Sequence, residues 1–142
     1  MGLRLKIEGN ESINLLETSI ISVKFGADIP HDSNARSTDL GSTVLIKGKI
    51  LAAGDGETAD DTSKIARWSL VPAENSDCYR RVQIDVVNAS QIVRQISIPN
   101  AFVIDYEEDF TDDTGAGVFT LLLKQKKDKM ANLKFEGGFS GE

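Results

Sequence analysis

The residues best equipped for chemistry lie in one acidic run: Asp105, Glu107, Glu108, Asp109, Asp112 and Asp113. Clustered carboxylate oxygens are what a Ca²⁺ ion takes as ligands. Paired carboxylates are also the acid and base of glycoside hydrolysis. The spacing departs from an EF-hand loop. Starting from Asp109, Thr111 stands in the second ligand slot and Thr114 where the glycine belongs. No other feature of the chain points to a sugar cleft. The run is read as a solvated hairpin tip whose charges discourage edge-to-edge aggregation. No metal and no cofactor is expected.

Other reactive side chains are isolated. His31 is the only histidine and falls in a stretch punctuated by Pro30, Asp32, Ser33 and Asn34. Catalysis needs a positioned partner as well as a suitable pKa, and none is evident for it. Cys78 is the only cysteine, so no intramolecular disulfide forms. It reads as a small half-buried residue near a strand start. Arg80 and Arg81 lie close to it, but no base does. There is no G-x-S-x-G elbow. Nor is there an H-E-x-x-H helix, a C-x-x-C pair, a phosphate-binding P-loop or a dinucleotide fingerprint. The expectation is a protein that is not an enzyme, with no catalytic residues.

Composition narrows the partners. The chain has 142 residues and a formal net charge of -6, with 40% hydrophobic and 27% charged residues. This fits one folded domain, residues 1–142, large enough to need no metal or disulfide staple. An acidic balance argues against nucleic acid, which rewards a basic footprint. No apolar run is long enough to span a bilayer. Leu3, Leu5 and Ile7 alternate with Arg4, Lys6 and Glu8, which is a strand and not the apolar core of a secretory signal. The expected location is cytoplasmic at synthesis, with export inside an assembly as the further possibility.

Charge also offers a partner. The acidic run is balanced by Lys124, Lys126, Lys127 and Lys129 later in the chain. Opposite patches on one subunit can meet head-to-tail on copies of itself, and a heterologous contact that closes gives a ring. The alternative is that the lysines only protect a sheet edge.

The elements that position these groups are mostly strands. Period-two alternation places them at 3–8, 19–25, 43–50, 82–86, 92–98, 102–106, 119–123 and 133–136. Ile13–Leu16 is ambiguous. Ile21, Val23 and Phe25 are expected on one face, as are Phe102, Ile104 and Tyr106, and Val82, Ile84 and Val86. Gly48 interrupts the apolar face of its strand and marks a bulge or a close approach. Arg94 interrupts the parity of its strand, so it either pairs with a carboxylate or faces outward. Asn88, Ala89 and Ser90 read as a hairpin turn. Residues 26–41 read as a long loop. Thr58 and Asp61 have helix-start spacing. Ile65 and Trp68 share a face, and Pro72 ends a helix near 59–69 that Trp68 anchors on the sheet. The fold class is mainly β: an antiparallel barrel or sandwich with one short flanking helix.

The stretch Pro99–Lys129 carries a resemblance. Asn100-Ala101-Phe102-Val103, Asp105-Tyr106-Glu107-Glu108 and the run Phe119–Leu123 resemble the C-terminal half of Hcp-like tube proteins. That superfamily includes type VI secretion tube subunits and is related to phage tail-tube proteins. The agreement extends loosely to the hairpin Val82–Ile98 and to the helix around Trp68. The resemblance implies a β-barrel with one flanking helix, and self-association into hexameric rings that stack into tubes. Similar small Gram-positive proteins of clostridial type carry a "membrane-associated protease" label, for which no residue here offers support. The expected function is a non-enzymatic structural subunit whose partner is itself or a tail-like assembly protein. The interface residues expected are Asp105, Glu107, Glu108, Lys126, Lys127 and Lys129. The alternatives are a monomeric protein-binding module of a tail-like or cell-surface system, and, behind it, a hydrolase.

Overall fold

The structure is a computed structural model that describes residues 2–28, 41–50, 58–112, 117–125 and 134–136. Among the described residues eight strands and one α-helix follow in order: β1 Gly2–Glu8, β2 Ser12–Leu15, β3 Ile20–Asp28, β4 Gly41–Ile50, α1 Thr58–Ser69, β5 Arg80–Asn88, β6 Gln91–Phe110, β7 Gly117–Gln125 and β8 Lys134–Glu136. All pairings are antiparallel, in the order β2-β1-β5-β6-β7-β4-β3, with β8 added to β6. One apolar cluster joins both ends of this order, from Ile13 and Leu15 on β2 to Ile20 on β3. The sheet therefore curls around a shared core. The mainly β class with a flanking helix is what the alternation predicts.

β7 shows why alternation was readable. Its side chains are strictly buried at every second position, Phe119, Leu121, Leu123 and Gln125. Gly48 on β4 sits opposite Phe119. A Cβ there would run into the Phe119 ring and the Ser19 carbonyl, so the glycine does mark a close approach. Ser19 O is itself held by Lys49 N–H at 2.7 Å, so the carbonyl has little room to yield.

Bulges explain where parity fails. An extra residue in one strand turns the following side chains to the other face. Between the pairs Ile20–Gly48 and Ser22–Lys47 the register shifts, leaving Ile21 exposed and Ile20 in the core. Between Val86 and Val87 it shifts again, and Val87 is buried while Val86 is only half-buried. A third shift puts Val103 and Tyr106 against the core and Ile104 outside, 47% exposed. The sets on β3 and β5 are thus each broken at one residue, whereas in the set on β6 Phe102 pairs with Lys124 on the other face and Tyr106 alone packs against the core. Arg94 is exposed opposite Val86, which fits the outward reading.

The largest difference is continuity. The runs 92–98 and 102–106 form one strand, β6, twenty residues long. Pro99 does not end it, because it falls in a bulge. Pro99 and Asn100 lie between the pairs Val82–Ile98 and Arg80–Ala101, where only Arg81 stands on β5. A proline has no N–H to contribute, so the ladder loses least there. The Asn100 N–H instead donates to the buried Gln125 Oε1 at 3.1 Å. Strands also run into the expected 26–41 loop, since β3 continues to Asp28 and β4 begins at Gly41; the remainder of that loop, with His31, lies outside the described residues.

Helix α1 covers the β2 side. Asn14 N–H donates to Asp61 Oδ2 at 2.8 Å, and Lys64 Nζ donates to Ser12 O at 3.2 Å. Thr62, Ile65 and Trp68 are buried at three-residue spacing, as one helix face requires. Trp68 Nε1 donates to the Cys78 carbonyl at 3.0 Å, and the Arg80 guanidinium lies 5.3 Å from the centre of its ring. The anchor is thus tied to the 3₁₀ turn Ser76–Cys78 and to the start of β5.

Candidate assembly surface

The acidic run is not a hairpin tip. β6 and β7 stay paired from Ala101–Gln125 out to Phe110–Gly117, so Asp105 to Asp109 lie within the ladder. The error has a local cause: a run of charge reads as a turn, yet exposed strand positions accept charge as readily. Asp112 is exposed beyond the strand, and Asp113 lies outside the described residues.

Pairing sorts these acids onto two faces. Cross-strand partners share a face. Asp105 pairs with Leu122, Glu107 with Thr120 and Asp109 with Val118, all on the outer face. Glu108 pairs with Phe119 and lies on the core side, where its own side chain is nevertheless exposed. There Tyr106 OH donates to Glu108 Oε2 at 2.6 Å, and the Tyr106 ring stacks on Phe119 with centroids 6.4 Å apart. Burial, then the bond to Glu108 and the charge of Glu108, push the Tyr106 phenol far above its ordinary range. Of the expected interface acids, Asp105 and Glu107 therefore stand together and Glu108 stands apart. Lys126, Lys127 and Lys129 lie outside the described residues.

The outer face supplies other lysines. Continuing the same rows across β7 to β4, Thr120 pairs with Lys47 and Val118 with Lys49. On β3, Lys24 pairs with Leu45, which itself faces Leu122. The face thus carries an acidic column on β6, a neutral column of Leu122, Thr120 and Val118 on β7, and lysines on β4 and β3. The two charged columns are two strand spacings apart, roughly 9–10 Å. All six charged side chains are exposed, and among the described residues none is in an ion pair. The alternation of β3 and β4 placed these lysines outward, but only the register shows them sharing rows with the acids.

Several charges elsewhere are paired within the chain. Arg4 pairs with Glu17, Lys6 with Glu8, and Arg67 with Glu11, each at 3.2 Å. The one deeply buried pair among the described residues, Arg80–Asp77, is structural. Asp77 Oδ1 also accepts from Asn10 N–H at 3.0 Å, tying the β1–β2 turn to the 3₁₀ turn. Cys78 is buried more deeply than expected, with its thiol 3.7 Å from the Ala73 carbonyl. A shallow depression of about 150 Å³ beside it is lined by Trp68, Val71, Cys78, Tyr79, Phe102 and Val103. Among the described residues no three His, Cys, Asp or Glu side chains are placed to hold a metal, and no helix is long and apolar enough to cross a membrane.

This architecture has counterparts among solved structures. Hcp1 from Flavobacterium johnsoniae superposes with a TM-score of 0.59 at 14% identity, covering 97% of both chains. The chain has the Hcp and tail-tube fold. A component of the six-fold symmetrised baseplate of the anti-feeding prophage matches at 0.54 and 12% identity, over 96% of this chain and 93% of that one. A component of the PVC sheath–tube complex, from an extracellular contractile injection system, matches at 0.54 and 12% identity, over 96% and 89%. No protein-family model matches the chain, and no curated protein matches it in sequence. The Hcp-type fold therefore accounts for the described chain from β1 to β8, beyond the C-terminal half that carries the resemblance in sequence.

Proposed function

We propose that the chain is a non-enzymatic structural subunit that associates with copies of itself into rings, which stack as a tube. The observation that carries this reading is the fit of nearly the whole chain, and nearly the whole neighbour, to Hcp1 and to components of injection particles. A sheet face with exposed, unpaired charges of both signs is consistent with contact between subunits. Export would then occur as part of the assembled particle, and other tail-like proteins would be the further partners.

Electron microscopy of the concentrated protein at low salt tests the reading. Annular particles with a central opening are the expected result. A field of small compact particles at every concentration would reject it. The six-fold symmetry of one neighbour's particle sets the expected ring at six copies. With a 15.4 kDa chain that is about 92 kDa.

A further inference from the structure

β2 ends the strand order and, among the described residues, pairs with β1 alone. Its other edge is a template on which a further strand could form, and proteins blunt such edges with lysine, proline or a bulge. β2 has none of these. Its sequence is Ser12-Ile13-Asn14-Leu15, and its register with β1 runs from Leu15 to Ser12 without a shift. The blunting comes from α1 instead. Residues two apart along a strand turn their main-chain groups to the same edge, and here those are Ser12 and Asn14. Asn14 N–H donates to Asp61 Oδ2 at 2.8 Å, and Ser12 O accepts from Lys64 Nζ at 3.2 Å. The two side chains are joined to each other at 3.1 Å and are only 17% and 30% exposed. A carboxylate and an ammonium thus stand where the C=O and N–H of a next strand would stand.

We propose that Asp61 and Lys64 act as a stand-in strand that keeps the β2 edge closed to a second copy of the chain. A second copy is the partner excluded because β2 edges are self-complementary. Two identical edges can pair antiparallel about a two-fold axis, each giving the other the same contact. Nothing on the strand opposes this, since Ser12, Ile13, Asn14 and Leu15 carry no charge. Such a pairing uses the same Asn14 N–H and Ser12 O that Asp61 and Lys64 occupy, so the helix and a second copy compete for them. Arg67 extends the cover past the start of the strand by pairing with Glu11 at 3.2 Å. A two-fold dimer is closed and adds no third copy, so it would divert chains from a ring. That consequence rests on the ring reading above; the closing of the edge does not.

Two double variants test the proposal. One carries Asp61→Ala and Lys64→Ala, which leaves the net charge unchanged and does not weaken the helix, since alanine is the best helix former. With both side chains gone, the first turns of α1 can give way to a strand. The other carries Asp61→Asn and Lys64→Arg, which keep an acceptor and a donor in place. Circular dichroism checks that each variant folds. Hydrogen exchange at the Asn14 amide is expected to be about tenfold faster in the alanine variant and to stay slow in the conservative one. Sedimentation in 1 M salt, where a screening length of about 3 Å silences contacts between charges, reads the association. The alanine variant is expected at twice the 15.4 kDa chain mass, and the wild type and the conservative variant at that mass itself. An unchanged Asn14 exchange rate, an alanine variant that stays monomeric, or a conservative variant that dimerises as well would overturn the proposal. Rings are scored separately, on the wild type at low salt. Their absence would remove the ring reading and leave the closed edge standing.

Discussion

Asp77→Ala removes the carboxylate that neutralises a buried arginine. The Arg80 side chain is only 4% exposed and that of Asp77 10%. Arg80 Nη2 donates to Asp77 Oδ2 at 2.5 Å and Nε donates to Oδ1 at 3.2 Å. Arg80 Nη1 has no hydrogen-bond partner among the described residues, so the guanidinium depends heavily on this one acid. Removing one member of a buried pair costs about 3–5 kcal/mol, mostly because the remaining charge is left without compensation. Against a total stability of about 5–15 kcal/mol, that is a large fraction. At this chain length it corresponds to a melting temperature lower by about 10–15 °C.

The controls separate charge from shape. Asp77→Asn keeps an oxygen for the Asn10 N–H and loses only the charge, so its loss should be smaller. Asp77→Ala combined with Arg80→Met removes both charges and should recover much of the loss, to within about 1–2 kcal/mol of wild type. Urea unfolding followed by circular dichroism measures all three. A loss below about 1 kcal/mol in Asp77→Ala, or a double variant no better than the single one, would refute the argument. The pH dependence adds a sign. Burial pushes the Asp77 carboxyl up, but the Arg80 hydrogen bond, the Asn10 N–H and the Arg80 charge together hold it below the usual 3.8. A lowered folded value means that the stabilisation is present above the unfolded value and is lost as pH falls through the folded one. The stability gap between wild type and Asp77→Asn should therefore close as pH drops below about 3.8.

Two further substitutions probe the sheet. Gly48→Ala forces a Cβ against the Phe119 ring and the Ser19 carbonyl, and should cost about 1–3 kcal/mol by overpacking; an unchanged melting temperature would contradict the close approach. Ser90→Gly should stabilise the β5–β6 hairpin by about 1 kcal/mol, because Ala89 and Ser90 hold φ of 52° and 65°, a region costly for side chains; a lower melting temperature would show that the serine has a role its backbone does not reveal.

What the sequence disclosed was period and punctuation. Phe119, Leu121 and Leu123 announce a half-buried strand by type and spacing, and Trp68 announces the helix contact, because each signal is local. Gly48 was legible as a close approach, though not which ring fills the space. Ile21, Ile104 and Val86 misled, since an apolar residue displaced by a bulge looks the same in sequence as one in register. The union of two runs into β6 was hidden by Pro99, which normally argues for a break. The assembly surface was half visible. Asp105 and Glu107 could be picked out by charge, but their row partners Lys24 and Lys47 lie far away in sequence, before the helix, and only pairing through β7 and β4 places them on one face. Glu108 was assigned with its neighbours because proximity in sequence says nothing about face until the register is known.

Self-association is the claim on which the functional account stands, and sedimentation of the native protein across salt concentrations tests it most directly. At high protein concentration and low salt, a species near six times the 15.4 kDa chain mass is predicted. It should dissociate as ionic strength approaches 1 M and the screening length falls to about 3 Å. A strict monomer at high concentration and low salt would contradict the account.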